Sequence, residues 1–192
     1  SNPDNCLGIR YTASLNGKIN TTLTLKDQNG RNVHYTIDNN RQATITFDGQ
    51  IARQNDNGAT SPESYYCAAR IVTNGGTITK NAKGNIDVKG ANSMTVYLSG
   101  LTDYDPDAAE YISGTDRLTA RATAIVNNAQ NKGYDALFAV HKADYQSLFN
   151  RCQLTLGEVK NNIPTPQLIS NYRNNQHDNL FLEELYFNYG RY

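Results

Sequence analysis

The sequence predicts an α+β fold, an antiparallel β-sandwich followed by linker α-helices. Two observations carry that expectation. From residue 6 to about 100 the apolar residues recur with period two, and after Tyr104 the period changes to 3.6. The separators in the first stretch are turn pairs: Asn16-Gly17, Asn29-Gly30, Asn57-Gly58, Gly75-Gly76 and Lys83-Gly84. Alternation broken by such pairs indicates antiparallel strands, each sheet keeping one wet face.

The β half runs as follows. "CLGIRYTAS" puts Leu7, Ile9, Tyr11 and Ala13 on one face, and "KINTTLTL" offers Ile19, Thr21, Leu23 and Leu25. "ATITFDG" contributes Ala43, Ile45 and Phe47, and "SYYCAARIVT" contributes Tyr65, Cys67, Ala69 and Ile71. "NIDVKG" and "SMTVYLSG" close the series, with Met94, Val96 and Leu98 facing one way. Two such sheets stacked together would bury these parities against each other.

In the helical half, "DRLTARATAIVNNAQNKG" aligns Leu118, Ala122, Ile125, Val126 and Ala129. Asp116 suits the positive helix start and Gly133 the stop. "YDALFAVHKADYQSLFNRC" follows, with Tyr134, Leu137, Phe138, His141, Tyr145, Leu148, Phe149 and Cys152 on an arc of roughly 120°. "NNIPTPQLIS" reads as a loop, because Pro164 and Pro166 push the residues before them to extended conformations. A last helix is expected from near Asp178. Its Phe181, Leu182, Leu185, Tyr186 and Tyr189 cover one arc, while Leu180 and Phe187 form a second stripe almost opposite. A helix apolar on two faces is sandwiched between layers. Each large side chain left bare forfeits about 1.5–3 kcal/mol.

Composition narrows the function classes. The 192 residues carry 18 basic and 18 acidic side chains, so the basic surplus of a nucleic-acid binder is missing. No apolar run approaches the roughly 20 residues of a membrane span. The first residues show no basic region followed by an apolar stretch. Cys6, Cys67 and Cys152 are scattered, without a CxxC pair, and read as buried free thiols.

Each chemistry-bearing cluster has a plainer reading. His141, Asp144 and Tyr145 stand at i, i+3 and i+4, but His141 and Tyr145 sit within the apolar stripe, so a buried packing histidine is preferred to a metal site. Asp103, Asp105 and Asp107 have calcium-loop spacing, yet Ala108 and Gly114 occupy the positions where an EF-hand needs Gly and Glu. A solvated turn is expected there. Glu183 and Glu184 are adjacent and point about 100° apart. Glu63, Glu110 and Glu158 have no identifiable partner. Tyr65, Tyr66, Tyr97, Tyr104 and Tyr111 offer sugar-stacking surface, with packing as the preferred role. The loop "RQNDNGATSPES" is longer than a hairpin needs and either borders a ligand or a neighbouring domain or is a mobile surface loop.

Five blocks carry a resemblance. "SNPDNCLGIRYTAS", "GANSMTVYLSGLTDYDPD", "HKADYQSLFNRCQLTLG", "IPTPQLI" and "LYFNYGRY" resemble, in order and spacing, blocks of glycoside hydrolase family 95. Pro166 and Leu168 replace that family's usual Asp and Arg, and Leu101 interrupts its Thr-Ser-Tyr context. The resemblance implies an α-L-fucosidase, or an enzyme of the related α-L-galactoside, that inverts at the anomeric carbon without a cofactor. It implies a β-sandwich, a helical linker, an (α/α)6 catalytic barrel and a C-terminal β-domain. On that map 1–102 is the later sandwich, 103–177 the linker and 178–192 the first helix of the barrel.

Both ends then look truncated. The water-activating asparagines and the catalytic carboxylates would lie in the barrel, so no catalytic, cofactor-binding or metal residue is expected in this chain. Its implied partners are the barrel of the same parent and the parent's oligosaccharide substrate. The family's habit is secreted or periplasmic. A carbohydrate-binding module without chemistry is the alternative, and a domain oligomerising through its last helix is a third.

Overall fold

The computed structural model describes residues 2–25, 33–51, 63–108, 111–157, 162–174 and 180–191. It divides into two compact units, Ser1–His141 and Lys142–Tyr192.

Among the described residues the first unit holds eight strands: β1 (Leu7–Thr12), β2 (Ile19–Leu23), β3 (Val33–Ile37), β4 (Ala43–Gln50), β5 (Ser64–Asn74), β6 (Thr77–Lys80), β7 (Ile86–Ala91) and β8 (Ser93–Thr102). A five-stranded sheet runs β1-β8-β5-β4-β3 and a three-stranded sheet runs β2-β7-β6. All neighbours are antiparallel. The register sets Ile45 opposite Ala69 and Ile71 opposite Val96, so one parity of the large sheet shares a face. Ala43, Ile45, Ile71, Met94 and Val96 from that face close a core with Ile78, Ile86, Val88 and Ala91 of the small sheet. The sandwich expectation holds.

One wet face per sheet does not hold at the centre. Helix α1 (Asp116–Lys132) lies on the second face of β5 and β8. There Cys6, Ala68 and Tyr97 pack with Val126 and Ala129 of α1 and with Leu137 of the next helix, α2 (Tyr134–Phe149). Both parities of β5 and β8 are therefore needed inside. The α1 stripe emerges as predicted: Leu118, Ala122, Val126 and Ala129 are buried, and Gly133 ends the helix at φ +79°, where a side chain would be strained.

Edge strand β1 is different. Leu7, Ile9 and Tyr11 pair with Leu98, Val96 and Met94, on the parity that faces the sandwich core. They nonetheless stay 51%, 37% and 55% exposed. The core parity of β1 is bare.

Three of the connections that cross between the sheets are tied by one amide. The Asn92 side-chain oxygen accepts the Gly17 N–H at 2.8 Å, and its amino group donates to the Asn74 side chain at 3.2 Å. The Asn92 N–H donates to the Asn74 carbonyl at 2.8 Å, and the Ala13 N–H to the Asn92 carbonyl at 2.9 Å. Gly75-Gly76 is part of this corner, not a hairpin, since β5 and β6 belong to different sheets. A Cβ on Gly76 would sit 2.4 Å from the Lys89 carbonyl oxygen. The Asn29-Gly30 and Asn57-Gly58 pairs lie outside the described residues.

In the second unit, α3 (Thr165–Arg173) replaces the expected loop. Pro166 falls in its first turn, where a missing N–H costs no helical bond. Leu168, standing where the resembled family has Arg, is fully buried. Helix α4 (Leu180–Arg191) closes the described chain. The expected start at Asp178 lies outside the described residues.

Candidate functional site

The clusters singled out in the sequence are not assembled into a reacting centre. His141 Nδ1 lies 3.1 Å from the Asn2 carbonyl oxygen, which ties α2 to the N-terminal segment. Its ring is half-buried rather than buried. Asp144 and Tyr145 do other things: the Asp144 carbonyl accepts the Ser147 hydroxyl at 2.7 Å, and Tyr145 stacks on Phe149 with centroids 5.1 Å apart. Among the described residues no group of three or more His, Cys, Asp or Glu side chains converges on a metal position.

The Asp103 turn departs from expectation. Asp103 is 3% exposed, not solvated. Its carboxylate accepts the Ser64 N–H at 2.8 Å, while the backbone N–H of Asp103 donates to the Ser64 carbonyl at 3.1 Å. Asp105 instead accepts the Asp107 N–H at 3.0 Å. The carboxylates of Asp103 and Asp105 thus serve backbone N–H groups, Asp107 contributes its own N–H, and among the described residues the three do not converge on a metal position.

The glutamates are occupied too. Glu183 accepts the Tyr172 hydroxyl at 2.9 Å, an interaction that raises the phenol pKa because the neutral phenol is the hydrogen-bond donor. Glu184 accepts the Leu156 N–H at 3.3 Å. Glu110 and Glu158 lie outside the described residues, as does most of "RQNDNGATSPES".

The cysteines split. Burial pushes the thiol pKa of Cys6 and Cys67 upward, whereas Cys152 is exposed, contrary to the expected buried thiol, because it lies just past the end of α2.

Two arginines that the sequence did not single out organise the structure. Arg70 on β5 donates to Gln130 of α1 at 2.9 Å, to Thr44 at 2.7 Å and to Gln42 at 2.7 Å, and pairs with Asp38. Gln130 also donates to Gln42 at 2.9 Å, so one network joins the β3–β4 turn, β5 and α1. Burial disfavours the Asp38 carboxylate, but the Gln42 N–H and the Arg70 guanidinium outweigh it and hold its pKa below the ordinary value.

Arg191 on α4 donates to the Phe149 carbonyl at 2.7 Å and to the Cys152 carbonyl. Its guanidinium lies 4.5 Å above the Phe149 ring and 5.5 Å from the Phe187 ring. The Phe149 carbonyl at the end of α2 and the Cys152 carbonyl just beyond it are thereby satisfied. The partners lie 42 and 39 residues away, so no local signal announced them.

What the second unit presents is apolar surface. Between α3 and α4 runs an open groove of about 820 Å³, bordered by Ile169, Tyr172, Leu182, Leu185, Tyr186 and Tyr189. On α4, Leu182 is buried, but Tyr186 and Tyr189 are 79% and 77% exposed, and Leu180, Leu185 and Phe187 are 37–40% exposed. Both predicted stripes of the last helix are thus partly open: Leu182 is buried and Phe181 half-buried, while the other apolar residues of both stripes are exposed.

Comparison with known proteins fits these features. Residues 1–107 match the glycosyl hydrolase family 65 N-terminal domain, and residues 133–192 match the glycosyl hydrolase family 95 catalytic domain. The chain is 42% identical over 67 residues to the probable alpha-fucosidase A of Aspergillus niger, covering 34% of this chain and 8% of that protein. It is 26% identical over 127 residues to alpha-L-fucosidase 2 of Arabidopsis thaliana, covering 63% of this chain and 15% of that protein. The chain therefore spans less than a sixth of the length of either relative. A sandwich of the family 65 N-terminal type, continued by helices of the family 95 catalytic type, places this chain in glycoside hydrolase family 95.

Proposed function

We propose that this chain is the non-catalytic sandwich, linker and barrel-entry portion of an enzyme that removes terminal α-L-fucosyl, or α-L-galactosyl, groups from oligosaccharides. The single observation that carries this reading is the bare α4. A helix matching the start of a catalytic domain, and apolar on two faces, is a layer element awaiting neighbours. In the proposed division, 1–102 is sandwich, 103–177 linker and 178–192 the first barrel helix.

Inverting hydrolysis needs a general acid and a general base about 6.5–9.5 Å apart across the sugar. The described carboxylates of this chain support a scaffolding role instead. Asp103 and Asp105 serve backbone N–H groups, and Glu183 and Glu184 are bonded within the second unit. The acid and base then belong to the rest of the barrel. A secreted or periplasmic location accompanies this reading, and fractionation of the producing cells tests it.

The experiment compares the 192-residue chain with a longer chain that carries an entire barrel. Only the longer chain should release fucose from an aryl α-L-fucoside, and proton NMR should show the β-anomer first. Turnover by the 192-residue chain alone, or initial α-anomer from the longer one, would overturn the proposal.

A further inference from the structure

Of the five tyrosines considered as sugar-stacking candidates, the structure separates two. Tyr97 is buried, and Tyr65 and Tyr66 are half-buried within β5. Tyr104 and Tyr111 are 56% and 61% exposed, with ring centroids 6.4 Å apart and planes within 13° of parallel. We propose that Tyr104 and Tyr111 form a stacking platform for pyranose rings of a neutral oligosaccharide.

Backbone bonds hold the residues that carry the pair. Tyr104 and Ile112 form an antiparallel bridge, the Asp105 N–H donates to the Tyr111 carbonyl at 2.8 Å, and the Tyr111 N–H donates to the Ala108 carbonyl at 3.0 Å. The Ser113 N–H and hydroxyl both donate to the Asp103 carbonyl, at 2.9 and 3.1 Å. Asp103 itself is anchored in the sandwich through Ser64. Tyr111 has φ +61°, a backbone conformation that a bulky residue rarely adopts, and this network maintains it. A backbone set in place before the ligand arrives leaves less order to be gained on binding.

The surroundings select the ligand class. From 103 to 116 the sequence has no Lys or Arg and carries Asp105 and Asp107 beside the rings, which disfavours anions. A cage for an organic cation sets rings at angles around the charge, whereas these two are nearly parallel. Phenol rings offer apolar faces to sugar C–H groups and hydroxyls to sugar hydroxyls. The nearby carboxylates add acceptors. A hydroxyl-rich neutral ring fits all three features.

The choice of oligosaccharide rests on the proposed function, but the two fail separately. Fucose release reads the barrel, and ring signals read the platform. The test is an NMR titration of the 192-residue chain, with labelled tyrosine rings, against an α-L-fucosylated lactose at millimolar concentration. Saturable shifts at Tyr104 and Tyr111 are expected, with affinity about tenfold weaker in Tyr104→Ala and retained in Tyr104→Phe. Tyr111→Gly removes the ring where φ is positive and provides a variant free of backbone strain. Unmoved Tyr104 and Tyr111 signals, or undiminished affinity in both ring-deleted variants, would overturn the platform.

Discussion

The two units treat the same kind of side chain in opposite ways. In the first, isoleucines and valines disappear between the sheets, and a second cluster forms under α1. In the second, Leu182 and Leu168 are buried while Tyr186, Tyr189 and Leu148 stay open to solvent. Apolar periodicity therefore reports what an element is meant to meet, whether or not the partner is present. The first unit has most of its partners inside its own chain, with β1 and the Tyr104–Tyr111 pair among the exceptions. The second has fewer, and its exposed helix residues are the observation on which the proposed catalytic barrel rests.

That contrast can be broken most forcefully in the core. Ile71→Ala, at a fully buried position, should cost about 2–5 kcal/mol in urea denaturation. A loss near zero would mean that the sandwich core is not the stabilising element. Asn92→Ala should cost about 1–3 kcal/mol, since it strips the corner of its side-chain bonds to Gly17 and Asn74.

A pH series sharpens the account of how α1 is held. The Asp38 carboxyl is depressed, so its contribution is fully present above the unfolded-state pKa and is lost as pH falls through the folded-state pKa. Asp38 remains 34% exposed, and solvent screening limits the pair to about 1 kcal/mol. Asp38→Asn should therefore destabilise by about that amount at neutral pH, with the gap closing in acid below the ordinary carboxylate range. A gap that stayed constant down to strong acid would contradict the ion pair.

The smallest effect on stability should come from the second unit. Tyr186→Ser combined with Tyr189→Ser should move stability by no more than about 0.5 kcal/mol, because both rings are already wet. A large loss of stability would show that the rings are covered in solution.

Much of this was legible in advance, and the failures share a cause. The alternation of β4, β5 and β8 and the stripe of α1 follow from local periodicity, and they emerged as read. β3 and β6, five and four residues long, are not among the strands read from the alternation. Gly75-Gly76 has hairpin chemistry, yet the choice of sheet on either side depends on distant partners. Pro166 disguised α3 because the rule about residues before proline is weaker than the permission for proline in a first helical turn. The anchoring of Asp103 by Ser64, and of α2 by Arg191, joins residues 39 and 42 apart. No window of sequence contains both ends. The tyrosine pair was in view, but parity could not rank five rings, since the exposure of Tyr104 and Tyr111 is set by a turn rather than a strand.

The corner at Asn92 carries a consequence for how the first unit reaches its native state. One side chain grips segments 75 and 18 residues away, so its bonds cannot exist until both intervening loops have closed. Such a clasp forms late, after the strands have found their neighbours. Once formed, it acts as a latch on the way out: a chain lacking it should refold at nearly the usual rate but come apart faster.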